Sequence, residues 1–110
     1  MPNKIFEEER QVVELAKEFA LVYNHLSNDY IWEGYNTKDN YVMRLRYHDD
    51  IQKGFYLQCA DFITPDMMVG TVNFYFPFDM DKVRKHLTKL RNQYLDSIEK
   101  RKMRDIEDMF

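Results

Sequence analysis

One cysteine, Cys59, stands in 110 residues, so the chain can close no internal disulfide. A lone thiol suits a reducing compartment, and the expectation is a cytoplasmic protein. Glycine and proline are scarce at three each. The glycines Gly34, Gly54 and Gly70 are scattered, which excludes a phosphate-cradling glycine loop and leaves turn or close-packing roles: Gly54 as a turn residue, Gly70 as a bulge or close-packing point. No apolar run approaches the roughly 18 residues of a membrane helix. The start, Met1 to Glu9, turns acidic early and has no apolar segment, so neither a signal nor a transit peptide is expected there. Metal-ligand spacing is missing as well. His48-Asp49-Asp50 falls where a hairpin turn favours Asp, and no second His or Cys stands at ligand distance from it. His25 and Asp29 are four apart, and a His near a helix C-terminus is explained by the dipole. No enzyme, cofactor or metal site is therefore expected.

Aromatic residues are abundant, at 15% of a chain that is 45% hydrophobic. That content and length fit one ordered domain with a modest core rather than disorder. The net charge is −3. It conceals a basic segment: residues 82–104 hold nine Lys or Arg against two acids, Asp96 and Glu99. A basic segment on an acidic body suits either nucleic acid or an acidic partner.

The pattern begins with a helix from about Lys4 to Ser27. Val12, Leu15, Phe19, Val22 and Leu26 recur at spacings of three and four, Asn3 stands as its N-cap, and Asn28-Asp29 ends it. Residues 30–78 then carry twelve of the seventeen aromatics, with Val, Ile and Thr beside them, which is strand composition. Four strands are expected near Tyr30–Tyr35, Tyr41–His48, Phe55–Phe62 and Met68–Phe76. The short connections favour an antiparallel meander. Met43, Leu45, Leu57, Cys59, Val72 and Phe74 alternate onto an apolar face, and Cys59 is then a buried thiol. The other face takes Tyr35, Arg44, Arg46, His48, Tyr56, Gln58, Asn73 and Tyr75. Tyrosines beside arginines can anchor a protein partner or stack bases.

Asp79 opens a last helix as its N-cap, with Phe78 and Val83 placed as a hydrophobic staple. Met80, Val83, Leu87, Leu90, Tyr94 and Ile98 form its inner stripe. Arg101 and Asp105 then fall on that stripe and break it, while Met103, Ile106 and Phe110 begin a second stripe rotated away from the first. Left intact, the helix is about 45 Å long, more than the strands beneath it span. Residues 99–110 are expected as a projecting helical tail that docks on another protein or a second copy through Met103, Ile106, Met109 and Phe110. Ile106-Glu107-Asp108-Met109-Phe110 resembles the pentapeptides by which bacterial replication and repair proteins dock on the DNA sliding clamp. Asp108, Met109 and Phe110 match the acidic–Met–Phe ending of that motif, and Ile106 stands where it usually begins with Gln. On the helix face opposite the core stripe, Lys82, Lys85, Lys89 and Lys100 offer cations suited to phosphate.

The expected fold is a single α+β domain over 1–110, in the order α-β-β-β-β-α, with both helices on one face of a four-stranded antiparallel sheet. That order resembles double-stranded-RNA-binding domains in topology, although Asp79 and Asp81 open the second helix where those have a Lys-rich start. The expected function is a small non-enzymatic binding or regulatory protein, for instance an inhibitor or adaptor of a larger phage or bacterial machine. It would act as a homodimer through the aromatic sheet face and the tail. The alternative is a nucleic-acid-binding module using the basic helix.

Overall fold

Each described strand between Val22 and Tyr75 pairs with the strand next to it in sequence. Strands β1 (Val22–Asn24), β2 (Asp29–Ile31), β3 (Met43–Tyr47), β4 (Phe55–Ile63) and β5 (Met68–Tyr75) form one antiparallel sheet in the order β1-β2-β3-β4-β5. Helix α1 (Glu7–Glu18) precedes the sheet and α2 (Met80–Asp108) follows it, giving an α+β domain. The computed structural model describes residues 7–33, 41–47 and 54–109. Asn3, Tyr35, His48, Asp49, Asp50 and Phe110, all named above, lie outside the described residues.

The sheet has five strands rather than the expected four, because α1 stops nine residues before Ser27. Leu21 N–H bonds Ala16 O and Ala20 N–H bonds Lys17 O, the paired bonds that close a helix C-terminus. Ala20, one of the two donors, holds a left-handed φ of 56°. Glycine is the usual occupant there, so alanine hides the stop. The chain then turns into the β1–β2 hairpin. Tyr23 pairs with Tyr30 across it, rings edge to face at 5.1 Å. Val22 and Leu26 thus leave the helix face their spacing suggested, and Leu26 sits at the hairpin tip, 98% exposed. The Asn28 amide closes the turn on Asn24 O.

Elsewhere the pattern and the fold coincide. Asp79 accepts the Lys82 N–H at the start of α2, and Phe78 and Val83 are both buried beside that cap. Val83, Leu87 and Leu90 pack with Met43, Leu57, Cys59 and Ile63 of the sheet and with Val12, Leu15, Ala16 and Phe19 of α1. Both helices cover this face. Glu18 of α1 holds Arg84 of α2 at 3.1 Å, and Glu9 accepts from the Tyr47 hydroxyl. Trp32 joins three parts at once. Its Nε1 donates to Phe19 O, and its ring stacks on Tyr94 at 4.8 Å. Gly70 marks a close approach rather than a bulge. The ladder stays in register on both sides, Ala60 with Thr71 and Phe62 with Val69, and a Cβ at position 70 would stand 3.1 Å from Asp61 Cβ.

Two bonds fix the direction of α2 along β4. The Ala60 carbonyl accepts a hydrogen bond from His86 Nε2 at 2.7 Å. Further on, Gln93 Oε1 accepts the Ile63 N–H at 2.8 Å. Helix and strand therefore travel the same way, from the Phe55 end toward the β4–β5 loop. Burial follows Val83, Leu87, Leu90 and then Ser97, with Ile98 half-buried beside it.

Candidate functional site

Three surfaces carry the residues singled out above, and a fourth emerges only from the tertiary structure. On the sheet face away from the helices, the register aligns Arg46, Tyr56 and Tyr75 in one row and Arg44, Gln58 and Asn73 in the next. Arg46 and Tyr75 are exposed, and the Tyr56 and Tyr75 rings lie 5.8 Å apart. Arg44 is differently placed. Its Nη2 reaches Asp29 Oδ2 at 3.3 Å, and its guanidinium lies 4.0 Å over the Tyr41 ring. Asp29 is only 2% exposed and takes a second bond from Ser27 Oγ. A carboxylate buried that deeply needs a cation at hand, so Arg44 is held by its own fold.

The second surface is the end of α2. Arg104 Nη1 holds Asp66 of the β4–β5 loop at 3.0 Å, and the helix runs on past it to Asp108. Met103, Ile106 and Met109 are 63%, 54% and 80% exposed. At 29 residues, α2 is about 44 Å long against about 30 Å for the nine residues of β4. The radius of gyration is 15.7 Å, where a compact chain of 110 residues has about 13 Å, and the longest axis is 60 Å.

The basic ridge is the third surface. Lys82, Lys85, Lys89 and Lys100 are all exposed. Lys100 is paired with Asp96 at 2.9 Å, and Lys89 stands 3.9 Å from Asp61. Arg84 and Arg104 have carboxylates of their own in Glu18 and Asp66. Surface pairs like these contribute little to stability, but they cancel much of the local field that phosphate would sense.

The fourth surface is a groove of about 440 Å³ between α1 and the β1–β3 side of the sheet. Glu9, Val13, Tyr23, Tyr30, Leu45 and Tyr47 line it. Pattern reading placed Val22 and its neighbours in a helix, so the tyrosines that converge here were spread over three supposed elements. Tyr23 and Tyr30 on either side of the turn residues Asn24 and Asn28-Asp29 were the available signal.

Titratable groups elsewhere have structural explanations. Burial pushes the Cys59 thiol up to about 12, which removes its thiolate at neutral pH. His25 lies in the β1–β2 turn against Tyr23, ring centroids 4.8 Å apart, rather than at a helix end. His86 is half-buried against the Ala60 carbonyl and the Phe74 ring, and desolvation holds its pKa below the ordinary value. Among the described residues, no group of three or more His, Cys, Asp or Glu is placed to hold a metal ion. No helix among them is long and apolar enough to cross a membrane. Comparison with protein-family models, curated proteins and solved structures finds no match to this chain.

Proposed function

We propose that this is a small cytoplasmic binding protein that regulates a larger assembly by contact and not by catalysis. It engages its protein partner through the end of α2 and through the row Arg46, Tyr56 and Tyr75. An inhibitor or adaptor of a phage or bacterial machine is the role that best suits its size. One observation carries the reading. A single helix buries Val83, Leu87 and Leu90 to 0% exposure in its first half and leaves Met103, Ile106 and Met109 bare in its last turns. Exposed apolar residues repeated along one side of a helix are how a helix docks in another protein's groove.

The phosphate-binding alternative through Lys82, Lys85, Lys89 and Lys100 has less behind it, since acids stand beside two of the four. A shift assay at two salt concentrations separates the readings, because phosphate binding falls steeply with salt. For the favoured reading, the chain lacking residues 103–110 is compared with the full chain for mass in light scattering and for proteins captured from the host. Loss of mass or of a captured protein is expected. A truncated chain that keeps both refutes it.

A further inference from the structure

Among the described residues, β5 has a strand beside it on one side only, that of β4. The opposite edge of the sheet is β1, three residues long, whereas β5 runs for eight. Phe76 gives its N–H to Phe55 O, and the Ala60 N–H turns away from β5 to Val42 O. Successive residues of a strand turn their N–H and C=O to opposite edges, so Thr71, Asn73 and Tyr75 turn theirs outward. Gly70, at a φ of 68°, ends the regular edge on one side, and Pro77, which has no N–H, ends it on the other. The free edge is therefore 71–75, centred on Asn73. Natural edges are commonly guarded by Lys, Pro or an inward-pointing charge. The eight residues of β5 include no charged residue and no proline. Nor does α2 close this side. Its bonds go to β4, at Ala60 and Ile63. Val72 and Phe74 of β5 stay half-buried, while Cys59 and Leu57 opposite them on β4 are 0% exposed.

We infer that β5 of one copy pairs antiparallel with β5 of a second copy, centred on Asn73, and joins two five-stranded sheets into one. The pairing goes beyond the contacts proposed above and does not rest on the tail. Outward backbone groups in register are met by another extended strand. The absence of charge favours the chain's own β5 in that place. Neutral residues then meet neutral ones: Asn73 opposite Asn73, Thr71 opposite Tyr75, and on the helix-covered side Val72 opposite Phe74, a β-branched residue against an aromatic one. The outward positions exchange two bonds per pair, about six in all. The arrangement closes on a two-fold axis and uses up the long edge in both copies. The charges nearest this edge oppose the pairing rather than drive it. Lys82 and Lys89 share a side of α2 with His86, which lies against Phe74, and Asp61 stands 3.9 Å from Lys89. The helices lie over β4, however, and the two β4 strands would stand three strand spacings, about 14 Å, apart. That exceeds the Debye length of about 8 Å at physiological salt, so most of the repulsion is screened. Pairing should strengthen as salt rises, the reverse of phosphate binding by the same lysines.

The test uses the full chain and Asn73→Pro. The Asn73 N–H faces the open edge, so proline there removes no bond to β4 and is tolerated as in other edge strands. Light scattering of the full chain is expected to give twice the 13.5 kDa chain mass, and Asn73→Pro is expected to return it to 13.5 kDa with unchanged circular dichroism. A second measurement reads the register and does not depend on the proline variant. Residues in a hydrogen-bonded antiparallel pair have Cα atoms ~5.5 Å apart, within reach of a disulfide. Under mild oxidation Asn73→Cys alone should give covalent pairs, the native Cys59 being buried. Tyr75→Cys alone should give few, and a mixture of Tyr75→Cys with Thr71→Cys should give many. A monomeric full chain overturns the inference, as does a dimer whose mass survives Asn73→Pro or whose Tyr75→Cys chains pair as well alone as in the mixture. A monomer that loses a captured host protein on Asn73→Pro also overturns it, since the added strand then belongs to another protein. Deleting residues 103–110 tests the tail separately. If the truncated chain keeps its mass and its captured proteins while Asn73→Pro loses mass, the tail reading falls and the β5 pairing stands.

Discussion

The two halves of α2 are made of much the same residue types and live in different surroundings. From Met80 to Ser97 the helix is clasped to the sheet by a buried stripe and by side chains that complete the backbone of β4. From Met103 to Met109 it carries apolar residues of similar size and buries none of them. The difference teaches that an apolar stripe predicts burial only where something lies under it. The sheet ends near Ile63, and the helix does not.

The largest effect should come from the clasped half. Leu87→Ala removes a fully buried side chain and is expected to cost about 3 kcal/mol in urea unfolding. A cost below about 1 kcal/mol would mean that the first half is held no better than the second. Gln93→Ala comes next. It takes the acceptor from the Ile63 amide, a part-buried donor, and should cost about 1–2 kcal/mol, with faster hydrogen exchange at Ile63 than at Leu57.

The pH dependence of the clasp is smaller and has a definite sign. Desolvation lowers the His86 pKa in the folded chain, against an unfolded value of 6.5. Above 6.5 the ring is neutral in both states and contributes no slope. As pH falls through 6.5 the unfolded chain takes the proton first, so stability declines until the folded ring is protonated too. His86→Gln should flatten that part of the stability–pH curve, and a slope that persists unchanged would assign it to other groups.

The smallest effect on the fold itself belongs to the bare half. Ile106→Ala should leave the chain's intrinsic stability within about 0.5 kcal/mol, as at other exposed positions. Melting followed at several protein concentrations sharpens the contrast. If copies pair through β5, the parent melts higher as concentration rises, and Ile106→Ala keeps that dependence. A large loss of stability independent of concentration would show that the last turns belong to the fold after all.

Much of the fold was legible because its signals are local. The cap at Asp79 and the stripe through Val83, Leu87 and Leu90 repeat over many turns, so one misleading residue cannot hide them. The alternation that sets Arg46, Tyr56 and Tyr75 apart from Leu45, Leu57 and Phe74 is a period of two along strands with short connections, and the register follows from it. The end of α1 was not legible because Ala20 occupies a left-handed position that normally announces itself with glycine. Val22 and Leu26 happened to continue the helical spacing, so the hairpin at 22–31 was masked. Only the end of the inner seam moved: Ser97 is buried and Ile98, expected on the stripe, is half-buried, because the seam's spacing depends on how the helix lies on the sheet.

Arg44 shows most plainly where pattern stops. Alternation correctly separates it from Met43 and Leu45, but not even a complete knowledge of β3 reveals Asp29, fifteen residues earlier and buried beneath it. The groove is of the same kind, since Glu9, Val13, Tyr23, Tyr30 and Tyr47 come from α1 and three strands.

By itself the sequence determined the α+β class, the antiparallel strands, the start of α2 and the apolar spacing of its last turns. These depend on backbone preferences and on periodicities that act over a few residues. Only the tertiary structure decided that Arg44 is bound to Asp29, that a tyrosine groove forms at one end, and that the end of α2 points away at the other. Those outcomes depend on where distant segments meet in space, and the energy of such meetings is not written in any single stretch of chain.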